Sequence, residues 1–280
     1  MEPLLNMRPV VLVPVHLERP TPAEVISLRQ CGKIFRHREI LIVARRGLDL
    51  GAYRELLTGA SELRVEPHWM SSIQAYNRMM ISPVIVRQLD GYTHMLVHEP
   101  DAIVFRDELD YWCGQTQDYI GAVWFEGFAN AKPDAPVVGV GNSGFSLHRL
   151  SALRRLITSH QRWYTYRQAA KDFARGLQGN GLRMRRGLKA LGLAGQLRGA
   201  WRLYEGHCDI FWSSVVPQVD AEFKVALVED AVRFSWEVLP ARCFQMTGGK
   251  LPFGIHAWSK YDLTFLLPYL SAAGVDCAGT

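Results

Sequence analysis

The chain has 280 residues, 48% of them hydrophobic and 21% charged, with a formal net charge of +5. That composition describes a soluble globular protein able to bury a sizeable core, as one large domain or a domain with an insertion. No apolar run approaches the roughly 20 residues of a membrane span, and the five scattered cysteines, without Cys-x-x-Cys spacing, argue against a disulfide framework and a zinc site.

The opening Met-Glu-Pro-Leu-Leu-Asn-Met-Arg lacks the basic-then-apolar layout of a secretory leader, so the expected location is the cytoplasm. Val10 to Val15 reads as a central strand, apolar on both faces as parallel-sheet strands are. A helix follows from about Pro22 to Phe35, opened by a capping box of Thr21 and Glu24 with Pro22 at the first helical position. Ile40–Val43 is a second strand, Tyr53–Leu57 a short helix and Leu63–Val65 a third strand. Ser71–Met80 reads as a helix that stops before Pro83, with a further helical stretch to Leu89. This alternation implies an α/β sandwich with a mostly parallel sheet, in which ligands bind beyond the carboxyl ends of strands.

The next strand carries the most informative pattern. Met95, Leu96 and Val97 form an apolar run that ends on Glu99 and Asp101, and a second apolar run follows at once. Residues two apart in an extended segment point the same way, so both carboxylates reach one point beyond the strand's end. Such a pair is costly to hold in a dry place without a cation. Mg²⁺ or Mn²⁺, with a substrate diphosphate completing its shell, would neutralise it. The alternative is that Glu99 caps a turn before Pro100 and Asp101 caps the next element. His16, just past the first strand, lies at a comparable strand end.

Asp107–Cys113 reads as a short helix and Tyr119–Ala122 as a strand. Trp124–Val138 reads as a long loop of the kind that serves as a binding loop or lid. Gly139–Leu147 combines three glycines with a closing strand; it is neither a dinucleotide-binding fingerprint nor a P-loop. From Arg149 to Tyr204 there are 13 Lys or Arg and one acid, Asp172, whereas the rest of the chain holds 19 basic and 26 acidic residues, a net of −7. The positive charge belongs to this segment. Arg183–Leu193 reads as one amphipathic helix, preceded by a turn at Gly179–Gly181. A solvated helical face, a peripheral contact with anionic lipid headgroups, and nucleic-acid binding are its three readings. A helix at Glu229–Trp236 and an aromatic-rich loop at Pro252–Lys260 close the pattern. His256 in that loop is a metal ligand, a catalytic base or a hydrogen-bonded core histidine.

Seven segments occur together in order: strand-Pro-Val at Pro14 and Val15; Ser71-Ser-Ile-Gln-Ala-Tyr-Asn-Arg-Met-Met80; His98-Glu-Pro-Asp-Ala-Ile-Val-Phe105; Asp118-Tyr-Ile-Gly-Ala-Val-Trp124; Gly139-Val-Gly-Asn-Ser-Gly-Phe-Ser-Leu147; Cys208-Asp-Ile-Phe-Trp212; and Pro252-Phe-Gly-Ile-His-Ala-Trp258. Together they resemble a domain-of-unknown-function family among the GT-A-fold glycosyltransferases, over about Val10 to Trp258. The resemblance implies an α/β, GT-A-like (Rossmann-like) domain over 1–280, with a mostly parallel central sheet, flanking helices and a basic helical insertion at 149–204. It implies a glycosyltransferase that moves a sugar from a nucleotide-sugar donor to a hydroxyl of a polysaccharide, lipopolysaccharide or lipid-linked glycan, with Mn²⁺ or Mg²⁺.

On this resemblance Asp101, Glu99 and His256 are the metal candidates, with Asp101 the likelier direct ligand and Glu99 acting through water or the ribose. Pro14, Val15, His16, Tyr76, Asn77 and Arg78, with Glu99 and Asp101, are placed around the nucleotide-sugar. Trp124, Asn142, Gly144, Phe145 and Trp258 become acceptor or sugar contacts, with a core role as the alternative for Trp124 and Phe145. An inverting transfer needs a base for the acceptor proton; Asp209 is assigned to it, with Glu205 as its understudy. The adjacent acids usual in such families are here separated by Gly-His-Cys. The insertion is then expected at the inner face of the cytoplasmic membrane, with no nucleic acid bound. The alternatives are a nucleotidyltransferase or sugar-nucleotide hydrolase, or a non-catalytic module that binds through the basic segment.

Overall fold

The first strand forms as β1 (Pro9–Val15), buried along its whole length. The computed structural model describes residues 7–179, 181–275 and 277. Most of the N-terminal segment read for a leader, and Asn180 of the expected Gly179–Gly181 turn, lie outside these residues. Helix α1 (Pro22–Ile34) begins with the expected capping box: Thr21 accepts from the Glu24 N–H, and the Glu24 side chain accepts from the Thr21 N–H. Strand β2 (Glu39–Arg45), helix α2 (Gly51–Leu56), strand β3 (Ser61–Val65), helices α3 (Ile73–Met80) and α4 (Pro83–Gln88) and strand β4 (His94–His98) follow in the expected alternation.

Beyond β4 the chain forms β5 (Ile103–Val104), α5 (Leu109–Cys113), β6 (Tyr119–Ile120), β7 (Val123–Phe125), β8 (Val137–Val140), β9 (Phe145–Arg149) and α6 (Leu150–Leu156). The main sheet has the order β3-β2-β1-β4-β9-β6. Strands β1 to β4 pair in parallel and β9 runs antiparallel to both β4 and β6. This is the mostly parallel sheet that the GT-A-like expectation requires. Its two faces are read directly from β1: Val10 and Leu12 enter one core with Met95 and Val97, and Val11, Val13 and Val15 enter the other with Leu96, as alternation along a strand dictates. Strand order reverses between β1 and β4, where Leu12 pairs with Val97. The ends of these two strands therefore open on one edge, at the switch point where such sheets hold ligands.

The helix expected at Arg183–Leu193 forms as α8 (Gly181–Leu191). Unforeseen is α7 (Tyr166–Leu177), which packs against it as a hairpin on a small core of Ala169, Ala190, Ala194 and Leu203. Glycines let them touch: a Cβ on Gly176 would lie 2.3 Å from the Met184 nitrogen, and one on Gly187 would lie 2.7 Å from the Ala169 oxygen. Arg149 ends β9, and Leu150 and Leu153 of α6 are fully buried in the main core, so the start of the 149–204 segment belongs to the α/β body.

The C-terminal part contains α9 (Cys208–Ile210), α10 (Val228–Phe234), β10 (Ser235–Trp236), α11 (Pro240–Met246), β11 (Gly254–Ile255) and α12 (Leu263–Ala272). Where a helix was expected to run to Trp236, it stops at Phe234 and the chain becomes strand. That strand joins a second sheet, β10-β11-β5, with β10 parallel and β5 antiparallel to β11. A further departure is Trp124–Val138. Instead of an irregular loop, its ends pair as the β7–β8 hairpin, with Trp124 packed flat enough on Gly141 that a Cβ there would lie 2.2 Å from its ring. Among the described residues no helix is long and apolar enough to cross a membrane.

Candidate functional site

The small second sheet gathers the site. Its parallel strands β10 and β11 end on the same edge, which puts Glu237 and His256, the residues just past each strand, side by side. The antiparallel β5 starts from that edge, so Asp101, two residues before it, arrives there too. Backbone bonds fix the three arms: the His256 N–H donates to the Trp236 oxygen at 2.8 Å, and the Trp258 N–H donates to the Asp101 oxygen at 3.4 Å. Glu99 is carried in from the main sheet by β4, its N–H donating to the Gly144 oxygen at 2.7 Å.

His256 is the hub. Its Nε2 lies 3.5 Å from Glu99 and 3.4 Å from Asp101. On the other side of the ring, Nδ1 lies 3.2 Å from Glu237 and 3.0 Å from the Asn142 side-chain nitrogen. Asn142 also donates to Glu237 at 2.7 Å, and its amide oxygen accepts the Phe145 N–H at 2.8 Å. The Tyr76 hydroxyl donates to Glu99 at 3.0 Å. Gly144 passes directly under the imidazole: a Cβ there would lie 2.1 Å from the ring.

Three carboxylates around one imidazole determine its charge. Burial acts to lower the pKa of His256, but bonds to Asp101, Glu237 and Glu99 outweigh it and hold the value well above the usual imidazole range. Burial likewise acts to raise Asp101, but the bond to His256, the charge of that imidazole and a backbone hydrogen bond together outweigh it, leaving that carboxyl below its ordinary value. The site thus demands positive charge. Ligand atoms of Glu99, Asp101 and His256 all lie within 4.8 Å of one another. Two carboxylates and one imidazole, with no thiolate, form a donor set suited to a divalent ion such as Mn²⁺ or Mg²⁺. Were a cation to replace the Nε2 proton, a proton kept on Nδ1 by Glu237 would leave the Nε2 lone pair free to bind it, the usual way a second carboxylate orients a metal-binding histidine.

The cluster forms part of the wall of a cavity of about 980 Å³. Of the residues assigned from sequence, Pro14, His16, Tyr76, Asn77, Glu99, Asp101, Trp124, Asn142, Asp209 and His256 line it. Asp209 stands at the start of α9 with its carboxyl pKa raised, chiefly by burial. Its place is fixed through Asn77, whose side-chain oxygen accepts the Cys208 N–H at 2.7 Å.

Other assigned residues are placed elsewhere. Val15, Phe145 and Trp258 are fully buried core side chains outside the lining; Phe145 packs edge-on against His98 and Phe253, and the Trp258 indole donates to Ser27 at 2.7 Å. They support the site from behind. Arg78 donates to the Tyr204 carbonyl at 3.3 Å, and Glu205 pairs with Arg186 at 3.3 Å on the exposed side of α8; neither lines the cavity. Gly144 acts through its lack of a side chain. Sequence reasoning missed Glu237, buried to 8% exposure beside the histidine. The only local sign of it is an acid placed directly after the apolar Phe234-Ser-Trp236 run.

The family model described as "Protein of unknown function (DUF5672)" matches residues 60–256, and the chain belongs to that family. No curated protein sequence matches it. Among solved structures, the apo-form glycosyltransferase GlyE from Streptococcus pneumoniae TIGR4 aligns at 11% identity and a TM-score of 0.42, over 96% of this chain and 64% of that one. A second structure of the glycosyltransferase GlyE from the same strain gives 10% and 0.42 over the same shares. An active-site mutant of LgtC aligns at 10% identity and a TM-score of 0.44, over 88% of this chain and 86% of that one. This chain spans less than two thirds of the length of the GlyE chains.

Proposed function

We propose that this member of the family is a metal-dependent glycosyltransferase, moving a sugar from a nucleotide-sugar donor to a hydroxyl of a polysaccharide, lipopolysaccharide or lipid-linked glycan. The observation that carries the reading is the convergence of Glu99, Asp101 and His256 at the end of β4, inside a cavity large enough for a nucleotide-sugar. Glu99, Asp101 and His256 would hold a divalent cation, which supplies the positive charge that offsets a leaving diphosphate.

The remaining roles belong to the chain's own residues. Pro14 and His16 at the end of β1, with Tyr76 and Asn77 on α3, frame the nucleotide side of the cavity. Trp124 offers an aromatic face to a sugar, and Asn142 holds Glu237 and His256 in register. Asp209 acts as general base: its carboxylate takes the proton of the acceptor hydroxyl as that oxygen bonds to the anomeric carbon and the bond from that carbon to the diphosphate breaks. Transfer then proceeds with inversion. A carboxyl pKa raised by burial suits the role, because a stronger base takes the proton more readily.

The α7–α8 hairpin supports a peripheral contact with an anionic membrane. Leu182 and Leu188 stand exposed on α8 beside the exposed Arg185 and Lys189, a mixture of apolar and basic groups suited to the lipid headgroup boundary.

A thermal-shift screen of nucleoside diphosphates and nucleotide-sugars, with and without Mn²⁺, tests the reading. A ligand at about 100 times its dissociation constant adds roughly 2.7 kcal/mol of stability. A Mn²⁺-dependent shift with a nucleotide-sugar supports transfer; no response to any nucleotide sinks it. Mn²⁺-dependent breakdown of a nucleotide-sugar at an undiminished rate with every acceptor tested points to the hydrolase alternative.

A further inference from the structure

Four large apolar side chains that line the cavity are also exposed: Ile73 at 74%, Val138 at 61%, Phe128 at 44% and Ile210 at 41%. One exposed apolar residue is ordinary, but several on the wall of one cavity mark a surface that meets an apolar group. They come from two sides. Ile73 begins α3 and Ile210 ends α9, and Asn77 ties these elements together, donating to the Ile73 carbonyl at 2.9 Å and accepting from the Cys208 N–H at 2.7 Å. Phe128 and Val138 belong to the β7–β8 hairpin and its connection.

Two details tie this wall to the chemistry. Ile210 directly follows Asp209, and its N–H donates to the Asp209 carboxylate at 2.8 Å, so acid and apolar side chain are set as one unit. Phe128 sits at a φ of +47°, after Gly127 at +85°. A left-handed backbone is unfavourable for a bulky L residue and is tolerated where the surroundings impose it, most often at ligand sites. The hairpin holds an aromatic ring at the cavity despite that cost.

We infer that the acceptor is amphiphilic: its reacting hydroxyl reaches Asp209, while an apolar aglycone attached to it, alkyl, isoprenoid or aryl, lies against Ile73, Ile210, Phe128 and Val138. The inference rests on Asp209 being the acceptor-side base. A fully polar acceptor would leave these four side chains in water.

The test titrates the 280-residue chain, with Mn²⁺ present, with methyl, butyl and octyl β-glucoside below micelle-forming concentrations and with phenyl β-glucoside. Affinity is expected to tighten about fourfold for each methylene buried, and the phenyl arm separates an aryl-accepting wall from one that takes aliphatic chains. The double variant Ile73→Ser/Ile210→Ser should lose the chain-length dependence, whereas Leu227→Ser, an exposed leucine outside the cavity, should keep it. Mn²⁺ binding by each variant reports that it is folded. A flat response to chain length in protein that binds Mn²⁺ and nucleotide overturns this inference alone, as does an unchanged slope in the double variant. Absence of nucleotide binding in every sample overturns the transferase reading and the acceptor assignment with it.

Discussion

Glu237 lies 3.2 Å from Nδ1 of His256, on the far side of the imidazole from Glu99 and Asp101. The histidine is held from behind by one carboxylate while it faces two others. Replacing Glu237 by Gln keeps the shape and removes the charge that keeps the proton on Nδ1. Mn²⁺ affinity, measured by calorimetric titration, should fall about 10- to 100-fold. Unchanged affinity would remove Glu237 from the site's design.

Gly144 tests the same histidine from the backbone. A methyl group there would lie 2.1 Å from the His256 ring, so Gly144→Ala must displace the imidazole. The expected result is a loss of Mn²⁺ affinity of about tenfold or more, with the far-ultraviolet circular dichroism of the wild type. Wild-type affinity would show that His256 does not need its observed position.

Asp209→Asn separates chemistry from binding. Removing a general base costs about 10²- to 10⁴-fold in rate, while Mn²⁺ and nucleotide binding should persist. Because burial raises the Asp209 pKa, the base is lost to protonation at a higher pH than an ordinary carboxylate would be. Wild-type kcat/KM should therefore fall on acidification above the usual carboxylate range. The residual rate of Asp209→Asn, whose amide has nothing to protonate there, should lack that limb. A variant with wild-type rate would rule out Asp209 as the base.

The basic hairpin makes a membrane prediction. Arg185→Glu/Lys189→Glu should release the protein from phosphatidylglycerol-containing vesicles, each lost basic residue removing about 1 kcal/mol of attraction. Leu182→Ser/Leu188→Ser should weaken binding while keeping its salt dependence, because the basic side chains remain. Equal sedimentation of all variants with the vesicles would contradict a contact through α8.

Much of the α/β body was legible because β1, β2 and β4 each announce themselves by a short apolar run, β3 by the alternation of Leu63 and Val65, and α1 by its capping box, all local patterns. The carboxylate pair was legible for the same reason: Glu99 and Asp101 are two apart at a strand end. Glu237 was not, since its meaning arises only when β10 pairs with β11, and a two-residue strand leaves no periodic signal. Phe145 and Trp258 were drawn into the site because aromatics in a motif carry no sign of their direction; tertiary packing turned both into core. The capping box of Thr165 and Gln168 that opens α7 was present in the sequence but hidden among the charges of the basic segment. Pairing of β7 with β8 was masked by the glycines and polar residues between them.

The most direct test compares wild type with Asp101→Ala in Mn²⁺-dependent nucleotide-sugar binding, read as a thermal shift. Asp101 contacts His256 at 3.4 Å and lines the cavity, and its removal takes one acid from the proposed cation site. The expected result is a Mn²⁺-dependent shift in the wild type that disappears in the variant. A shift that survives Asp101→Ala unchanged, or that never required Mn²⁺, would contradict a metal-dependent glycosyltransferase built on Glu99, Asp101 and His256.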